Sequence, residues 1–277
     1  MAIYKTYDEL QFIDDFMFCH VLMENEDLCK EIAEMVTGRK IREIIVAEDQ
    51  KSIRITEDGK GVRFDVYFED ADGIIYDIEM QAVPSRNLPR RSRYYQGMID
   101  LNFLSKGSDY SDLPDSYIIF ICTFDLFQKG RHIYSFEPIC REDADIPLND
   151  GTHRVFLSPE GDKNDCSEKM RDFLNYVAGK GADGSFSRRL DEAVRRAREK
   201  EEWRLDYMTL LEKYKDERLA GRAEGLSEGI QIGRNEGIQI GRNEANREAE
   251  KERKELLKVI EQLQNELKKV HESPGQE

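Results

Sequence analysis

The sequence is poor in the residues that build disulfide frameworks and metal knuckles. Its 277 residues include five cysteines, Cys19, Cys29, Cys122, Cys140 and Cys166. They are odd in number, widely spaced and contain no C-x-x-C pair, which disfavours a structural zinc site and predicts reduced thiols in a cytoplasmic protein. The four histidines, His20, His132, His153 and His271, are equally scattered. Long apolar runs are missing too. The longest, Tyr117–Phe124, is far short of the ~20 residues that span a bilayer. The first residues, MAIYKTYDEL, contain no apolar signal core, so no membrane partner is expected. There is no G-x-x-x-x-G-K-[ST], no G-x-S-x-G and no dinucleotide fingerprint, which leaves carboxylates as the source of any chemistry. Positive charge is also short, with 42 Lys+Arg against 57 Asp+Glu. Before Phe186 the counts are 22 and 36, a net of −14; from Phe186 onward they are 20 and 21, a net of −1. A general electrostatic grip on nucleic-acid phosphates is therefore disfavoured. Only a local basic patch or bound metal ions would reconcile this front part with a polyanion.

Apolar residues are 39% and charged residues 36% of the chain, the average of a core-forming segment and a solvated one. Residues 8–38 carry apolar side chains at spacings of three and four, which predicts helix. Asn25 and Glu26 divide it and Gly38 caps it. Ile41–Ala47 and Lys51–Thr56 read as weak strands. Val62–Glu69 then alternates strictly, with Val62, Phe64, Val66 and Phe68 on one face and Arg63, Asp65, Tyr67 and Glu69 on the other. Beyond Asp70-Ala-Asp-Gly73, a second run sets Ile74, Tyr76, Ile78 and Met80 against Asp77, Glu79 and Gln81. Two alternating runs around an Asp-Gly turn predict a β-hairpin. Directly opposed residues share a face, so paired numbers must sum to an even value. Pairing Asp70 with Ile74 sets Asp65 opposite Glu79; the next even register sets it opposite Asp77. In either register carboxylates crowd one face, a repulsion that a cation or a raised pKa must relieve.

After Gln81, four arginines (Arg86, Arg90, Arg91, Arg93) fall within eight residues. Arg90, Arg91 and Arg93 are the basic cluster of an acidic domain: candidates for phosphate contact, or for pairing with its surplus carboxylates. A helix with Tyr94, Tyr95, Met98, Leu101 and Leu104 follows. Tyr117–Phe124 reads as a buried central strand, followed by strands at His132–Phe136 and His153–Leu157 and a helix near Glu168–Val177. The order predicts a mixed α/β layer architecture. Gly179–Gly184 reads as a hinge, which places domains at 1–183 and 184–277. The second part lacks proline over 187–272 and reads as helix. It carries Glu228-Gly-Ile-Gln-Ile-Gly-Arg-Asn235 repeated verbatim at Glu236–Asn243, within a glycine-containing stretch, 224–243. Over 253–271, Leu256, Ile260, Leu263, Leu267 and Val270 step 4, 3, 4, 3, the seam of a short self-associating coiled coil.

Asp65…Glu79-x-Gln81, carboxylates on paired strands with a polar residue two positions on, resembles the catalytic core of the PD-(D/E)xK phosphodiesterase superfamily. Five blocks bring the chain closer to its recombination-promoting nuclease and transposase family: Asp14–Phe18, Gly61–Val66, Tyr76–Gln81, Arg90–Gln96 and Tyr117–Asp125. The resemblance covers roughly residues 8–180 and extends to the helical tail. It implies a restriction-endonuclease-like core, a mixed central sheet flanked by helices, and a bacterial metal-dependent DNA endonuclease acting in recombination or DNA mobility. It further implies that Asp65, Glu79 and the Met80 carbonyl ligate Mg²⁺, with Mn²⁺ able to substitute. Asp15 and Asp77 are candidate additional acids. Gln81 stands where the superfamily usually has lysine; an amide supplies no positive charge and no base, but it can orient water or bind a phosphate oxygen. DNA is the implied partner. The alternative function is a non-catalytic oligomeric assembly or regulatory protein carrying a degenerate nuclease domain.

Overall fold

The computed structural model describes residues 4–53 and 61–271. A 3-10 turn at Tyr7–Glu9 precedes α1 (Asp15–Glu24) and α2 (Glu26–Thr37). The helix predicted from residue 8 therefore starts later. Asp14 is occupied by Lys5 and by the Gln11 N–H (2.7 Å), which closes a turn ahead of α1. The break falls at Asn25, whose backbone N–H and side-chain amide both donate to the Val21 carbonyl (3.1 and 2.8 Å). Gly38 ends α2 at φ = +70°, the left-handed cap that a Cβ disfavours.

The strands are β1 (Ile44–Asp49), β2 (Ser52–Ile53), β3 (Val62–Arg63), β4 (Val66–Asp70), β5 (Ile75–Gln81), β6 (Ser116–Cys122), β7 (Ile133–Phe136) and β8 (Thr152–Leu157). β1 begins three residues later than expected, and residues 54–56 of the next expected strand lie outside the described residues. β2 and β3 pair as a small ribbon; the other six form one sheet in the order β1-β4-β5-β6-β8-β7. β5, β6 and β8 run parallel; β1, β4 and β7 are antiparallel to their neighbours. The helix α3 (Leu88–Phe103) makes the crossover from β5 to β6. The apolar run Tyr117–Phe124 supplies the central strand β6, as expected.

The hairpin register is the first of the two predicted: Val66 opposes Ile78, Tyr67 opposes Asp77, and the Asp70 N–H bonds the Ile74 carbonyl at 3.0 Å. Asp70 sets the turn itself, its Oδ1 accepting the N–H groups of Asp72 and Ile74 (2.9 and 3.0 Å) and its Oδ2 the Tyr76 hydroxyl (3.1 Å). The strict alternation of 62–69 does not hold. The chain bends at Phe64-Asp65, between β3 and β4. Phe64 therefore lies on the same side as Tyr67 (ring centroids 5.5 Å apart) and packs edge-on against Tyr95 of α3 at 5.0 Å. Val66 and Phe68 face Leu22 and Cys29 on the other side. The α3 side of the sheet is a core of Tyr67, Ile75, Ile118, Phe120 and Phe156 under Tyr95, Met98 and Ile99.

The other side carries α1 and α2, then α4 (Glu168–Val177) and α5 (Ser185–Arg198). Phe12 stacks edge-on with Phe18 and Phe173, and Phe173 with Phe186. The compact unit accordingly extends past the expected boundary at residues 183 and 184 and ends at Met208. The physical reason is the amphipathic face of α5. Phe186, Leu190, Ala193, Val194 and Ala197 are all buried, and Arg198 donates twice to the Leu10 carbonyl (2.9 and 2.6 Å). The expected hinge is a packed turn: Asp172 accepts the N–H groups of Gly184 and Ser187 (2.7 and 3.2 Å). The last element, α6, is a single helix over Glu201–His271. In the second unit, from Thr209, it buries no side chain among the described residues. Leu256, Ile260, Leu263 and Leu267 are exposed; the Val270 side chain lies outside the described set.

Membership of α5 in the first core is directly measurable. Phe186→Ala should cost about 3–5 kcal/mol in a denaturant titration, the range for emptying a fully buried phenyl site. Leu226→Ala, on exposed α6, should stay within about 0.5 kcal/mol. Equal effects would contradict the packing described.

Candidate active site

The site grows out of the bend. Two backbone N–H groups at the bend are taken by carboxylates in place of strand carbonyls. The Asp65 N–H donates to Glu79 Oε1 and the Met80 N–H donates to Asp65 Oδ2, both at 3.0 Å. The carbonyl of Asp65 accepts from the Gln50 N–H at 3.1 Å, anchoring the bend to the end of β1. Asp65 and Glu79 are thus clasped across the hairpin and withdrawn from water, at 6% and 0% exposure. Asp77 shares the β5 face with Glu79 and is also fully buried. This polar face lies under α3, not toward solvent.

Arg91 enters from the second turn of α3. Its guanidinium donates to Glu79 Oε2, to Gln81 Oε1 at 3.1 Å and to the Tyr95 hydroxyl at 2.7 Å. Its guanidinium carbon lies over the Tyr95 and Phe120 rings, 5.0 and 5.3 Å from their centroids. Gln81 donates to the Val83 carbonyl at 2.6 Å, and the Gln81 carbonyl accepts the Thr123 N–H at 3.2 Å. Both bonds pin the end of β5. Asp15, the first residue of α1, is salt-bridged to Arg63 at 3.0 Å. Ligand atoms of Asp15, Cys19 and Asp65 lie within 4.8 Å of one another.

Burial outweighs the favourable contacts in setting proton affinity. Asp65 is pushed up to about 8, first by desolvation, then by the negative charges of Glu79 and Asp15, against the Met80 N–H and Arg91. Glu79 is raised by desolvation despite Arg91 and the Asp65 N–H. Asp77 is held well above the ordinary range by desolvation and by Glu79 and Asp65. Among the described residues neither Asp77 oxygen has a hydrogen-bond partner, so burial beside Glu79 and Asp65 favours the protonated acid.

A buried, over-negative set of oxygen ligands with one guanidinium against it fits a hard divalent cation. Asp65, Asp15 and Glu79 are the carboxylates at hand; the Cys19 thiol is a poor ligand for such an ion. A second group, His132, Asp165 and Cys166, also places ligand atoms within 4.8 Å. It is closed by its own contacts: Asp165 takes the His132 ring at 3.0 Å, Arg131 stands 3.6 Å from Asp165, and Arg171 bonds Cys166.

The residues expected from the sequence are therefore distributed unevenly. Asp65, Glu79, Gln81, Asp77 and Asp15 converge at or beside the bend. Arg90 and Arg93 are exposed on the outer side of α3, whereas Arg91 turns inward. Sequence reasoning missed this inward turn, the hydroxyl of Tyr95 and the nearness of Cys19. The i, i+4 spacing of Arg91 and Tyr95 was the available signal.

Among the described residues no helix is long and apolar enough to cross a membrane. No curated protein and no solved structure matches the chain. Residues 13–158 match the PD-(D/E)XK nuclease family transposase, a span that runs from the turn before α1 to the end of β8. The mixed sheet and its flanking helices are those of the PD-(D/E)XK fold, and the chain belongs to the PD-(D/E)XK nuclease family transposases.

Proposed function

We propose that the protein is a divalent-metal-dependent DNA endonuclease that serves recombination or DNA mobility. The observation that carries this is the clasp of Asp65 and Glu79. Two carboxylates are buried against each other's backbone at a place where folding alone would favour apolar residues. Family membership supports a nuclease-like hydrolase that acts on nucleic acid and, typically of such enzymes, with a divalent metal.

In this reading Asp65, Glu79 and the Met80 carbonyl hold Mg²⁺ or Mn²⁺, with Asp15 available from α1. The bound ion would lower the pKa of a water and offset charge on the scissile phosphate. Hydrolysis joins the water oxygen to phosphorus and breaks the bond to the departing ester oxygen, which leaves with a proton from water. Gln81, pinned by Val83 and Thr123, presents an amide to the water or to a phosphate oxygen. Asp77, kept protonated by burial, adds no further negative charge beside Glu79. Arg90 and Arg93, at the exposed start of α3, contact backbone phosphates on either side of the target bond.

Self-association through α6 belongs to the same proposal. Leu256, Ile260, Leu263 and Leu267 stand 46–65% exposed along one heptad seam, and an isolated helix gains little from leaving them wet. A paired assembly would bring two such sites to one duplex.

Metal should bind, stabilise and activate together. At a metal concentration near 100 times its Kd, the melting temperature should rise by roughly 5–10 °C, and supercoiled plasmid should be nicked. Asp65→Ala and Glu79→Ala should abolish both effects, while Glu69→Ala should abolish neither. A wild type with no thermal shift and no cleavage of any DNA form would instead favour the assembly reading.

The raised acid sets the pH response. Asp65 is pushed up to about 8 in the folded protein from an ordinary value of 3.8. Its contribution to metal-free stability is complete below the unfolded value and is lost as pH rises through the folded one. The metal-free melting temperature should fall between about pH 4 and pH 8 and level off above it. Metal affinity should climb over the same interval, because binding expels the proton. Asp65→Asn should flatten the first trend.

Light scattering should find the full chain at least dimeric at tens of micromolar. Replacing Leu256, Ile260, Leu263 and Leu267 together by serine should reduce the subunit number and leave the melting of the first unit unchanged.

A further inference from the structure

Resting on the nuclease reading, we propose that Arg91 is the catalytic cation of this site. It contacts the phosphate undergoing hydrolysis, in the role that the superfamily usually gives to a lysine at the position of Gln81. In the absence of metal the same guanidinium occupies Glu79. Three observations lead here. Gln81 cannot supply positive charge, yet its Oε1 receives an Arg91 N–H at 3.1 Å. The charge missing from the side chain at 81 is thus delivered beside it, from α3. A second N–H of Arg91 lies on Glu79 Oε2, the carboxylate that the proposed metal requires, so cation and guanidinium compete for one oxygen. The guanidinium also has an exit. Glu79 is sealed at 0% side-chain exposure while Arg91 is 34% exposed, so the arginine bridges the buried Glu79 and the surface where DNA would lie.

The surroundings hold the arginine in reach after release. The Tyr95 hydroxyl accepts its Nε–H at 2.7 Å, and the Tyr95 and Phe120 rings face its guanidinium carbon. The tip can thus shift from carboxylate to phosphate while these neighbours keep it beside the site. A planar donor of this kind suits both partners, since carboxylate and phosphate take the same paired N–H geometry. Arg90 and Arg93 lack this position: they are exposed on the same helix and reach outward.

A purely structural arginine would support Glu79 in every state, and its loss would weaken metal binding and cleavage together. The proposed role predicts opposite signs. The full chain is titrated with Mn²⁺ by calorimetry without DNA, and plasmid nicking is measured at saturating Mn²⁺. Arg91→Gln should bind Mn²⁺ about tenfold more tightly, the scale of a neighbouring charge within hydrogen-bond reach. It should cleave at least about a hundredfold more slowly, the scale of one lost transition-state charge contact. Adding Gln81→Lys to Arg91→Gln returns a cation to the site and should recover cleavage to within about tenfold of wild type. The double variant also serves if the single one melts early. Weaker Mn²⁺ binding together with slower cleavage in Arg91→Gln overturns the inference and leaves the nuclease reading standing. Faster cleavage overturns it too, by making Arg91 only an obstacle, and so does failure of the double variant to recover. A wild type that neither binds Mn²⁺ nor cleaves overturns the nuclease reading, and this inference with it.

Discussion

The exchange of ladder hydrogen bonds for carboxylate hydrogen bonds at Asp65 and Met80 is the constraint on which the rest of the site depends. A buried backbone N–H must find an acceptor. Here two of them find side chains of the opposite strand, at 3.0 Å each. The strand can then bend, and the bend moves Phe64 onto the α3 side against Tyr95. Tyr95 in turn holds Arg91, and Arg91 returns to Glu79. The chain of contacts closes on itself, so core and site are one structure. Removing either carboxylate would strand an N–H as well as a ligand.

Such a site is costly to keep without a cation. Burying a carboxylate raises its proton affinity, and burying several together raises each further. Arg63 answers Asp15, but one guanidinium, Arg91, cannot neutralise Asp65, Glu79 and Asp77. Protons supply the remainder: burial pushes Asp65 up to about 8 and holds Asp77 well above the ordinary carboxylate range. The metal-free protein is therefore held together by protons and Arg91, both of which a divalent ion would displace. Apolar residues would avoid that cost but would strand the N–H groups of Asp65 and Met80. Two N–H groups do not call for three buried acids, and the surplus argues for chemistry beside architecture.

The parts of this arrangement visible in sequence are those set by local patterns. The Asp-Gly turn and the period-two runs limit the hairpin to an even register, with Asp65 across from Glu79 or Asp77, and the structure adopts the first. The uninterrupted run at Tyr117 identified the central strand. The bend was invisible, because Val62–Glu69 alternates without a flaw and only the carboxylate exchange breaks it. Arg91 was grouped with Arg90 and Arg93 by adjacency, whereas a helix points successive residues about 100° apart. The domain limit was misplaced by its glycines. Gly179 and Gly181 do adopt φ of +73° and +106°, but within a turn that returns α5 to the core. The buried positions of α5, Phe186, Leu190, Ala193, Val194 and Ala197, step like any core helix and were the better guide.

The charge distribution limits how DNA could approach. At physiological salt, fields fade over about 8 Å, so the acids remote from the bend repel weakly and the neighbouring groups decide. Those neighbours are the start of α3, its exposed Arg90 and Arg93, and the half-exposed Arg91. The N-terminus of α3 adds its own positive end, unopposed by any acid in its first turn. A duplex on this strip would meet positive charge at the surface and negative charge only beneath it, where a metal would be bound. The net −14 ahead of Phe186 then becomes a source of selectivity. It discourages binding elsewhere on the domain and confines productive contact to the few ångströms around the site. On the nuclease reading, affinity must come from this short footprint or from pairing of subunits, and not from a broad basic face.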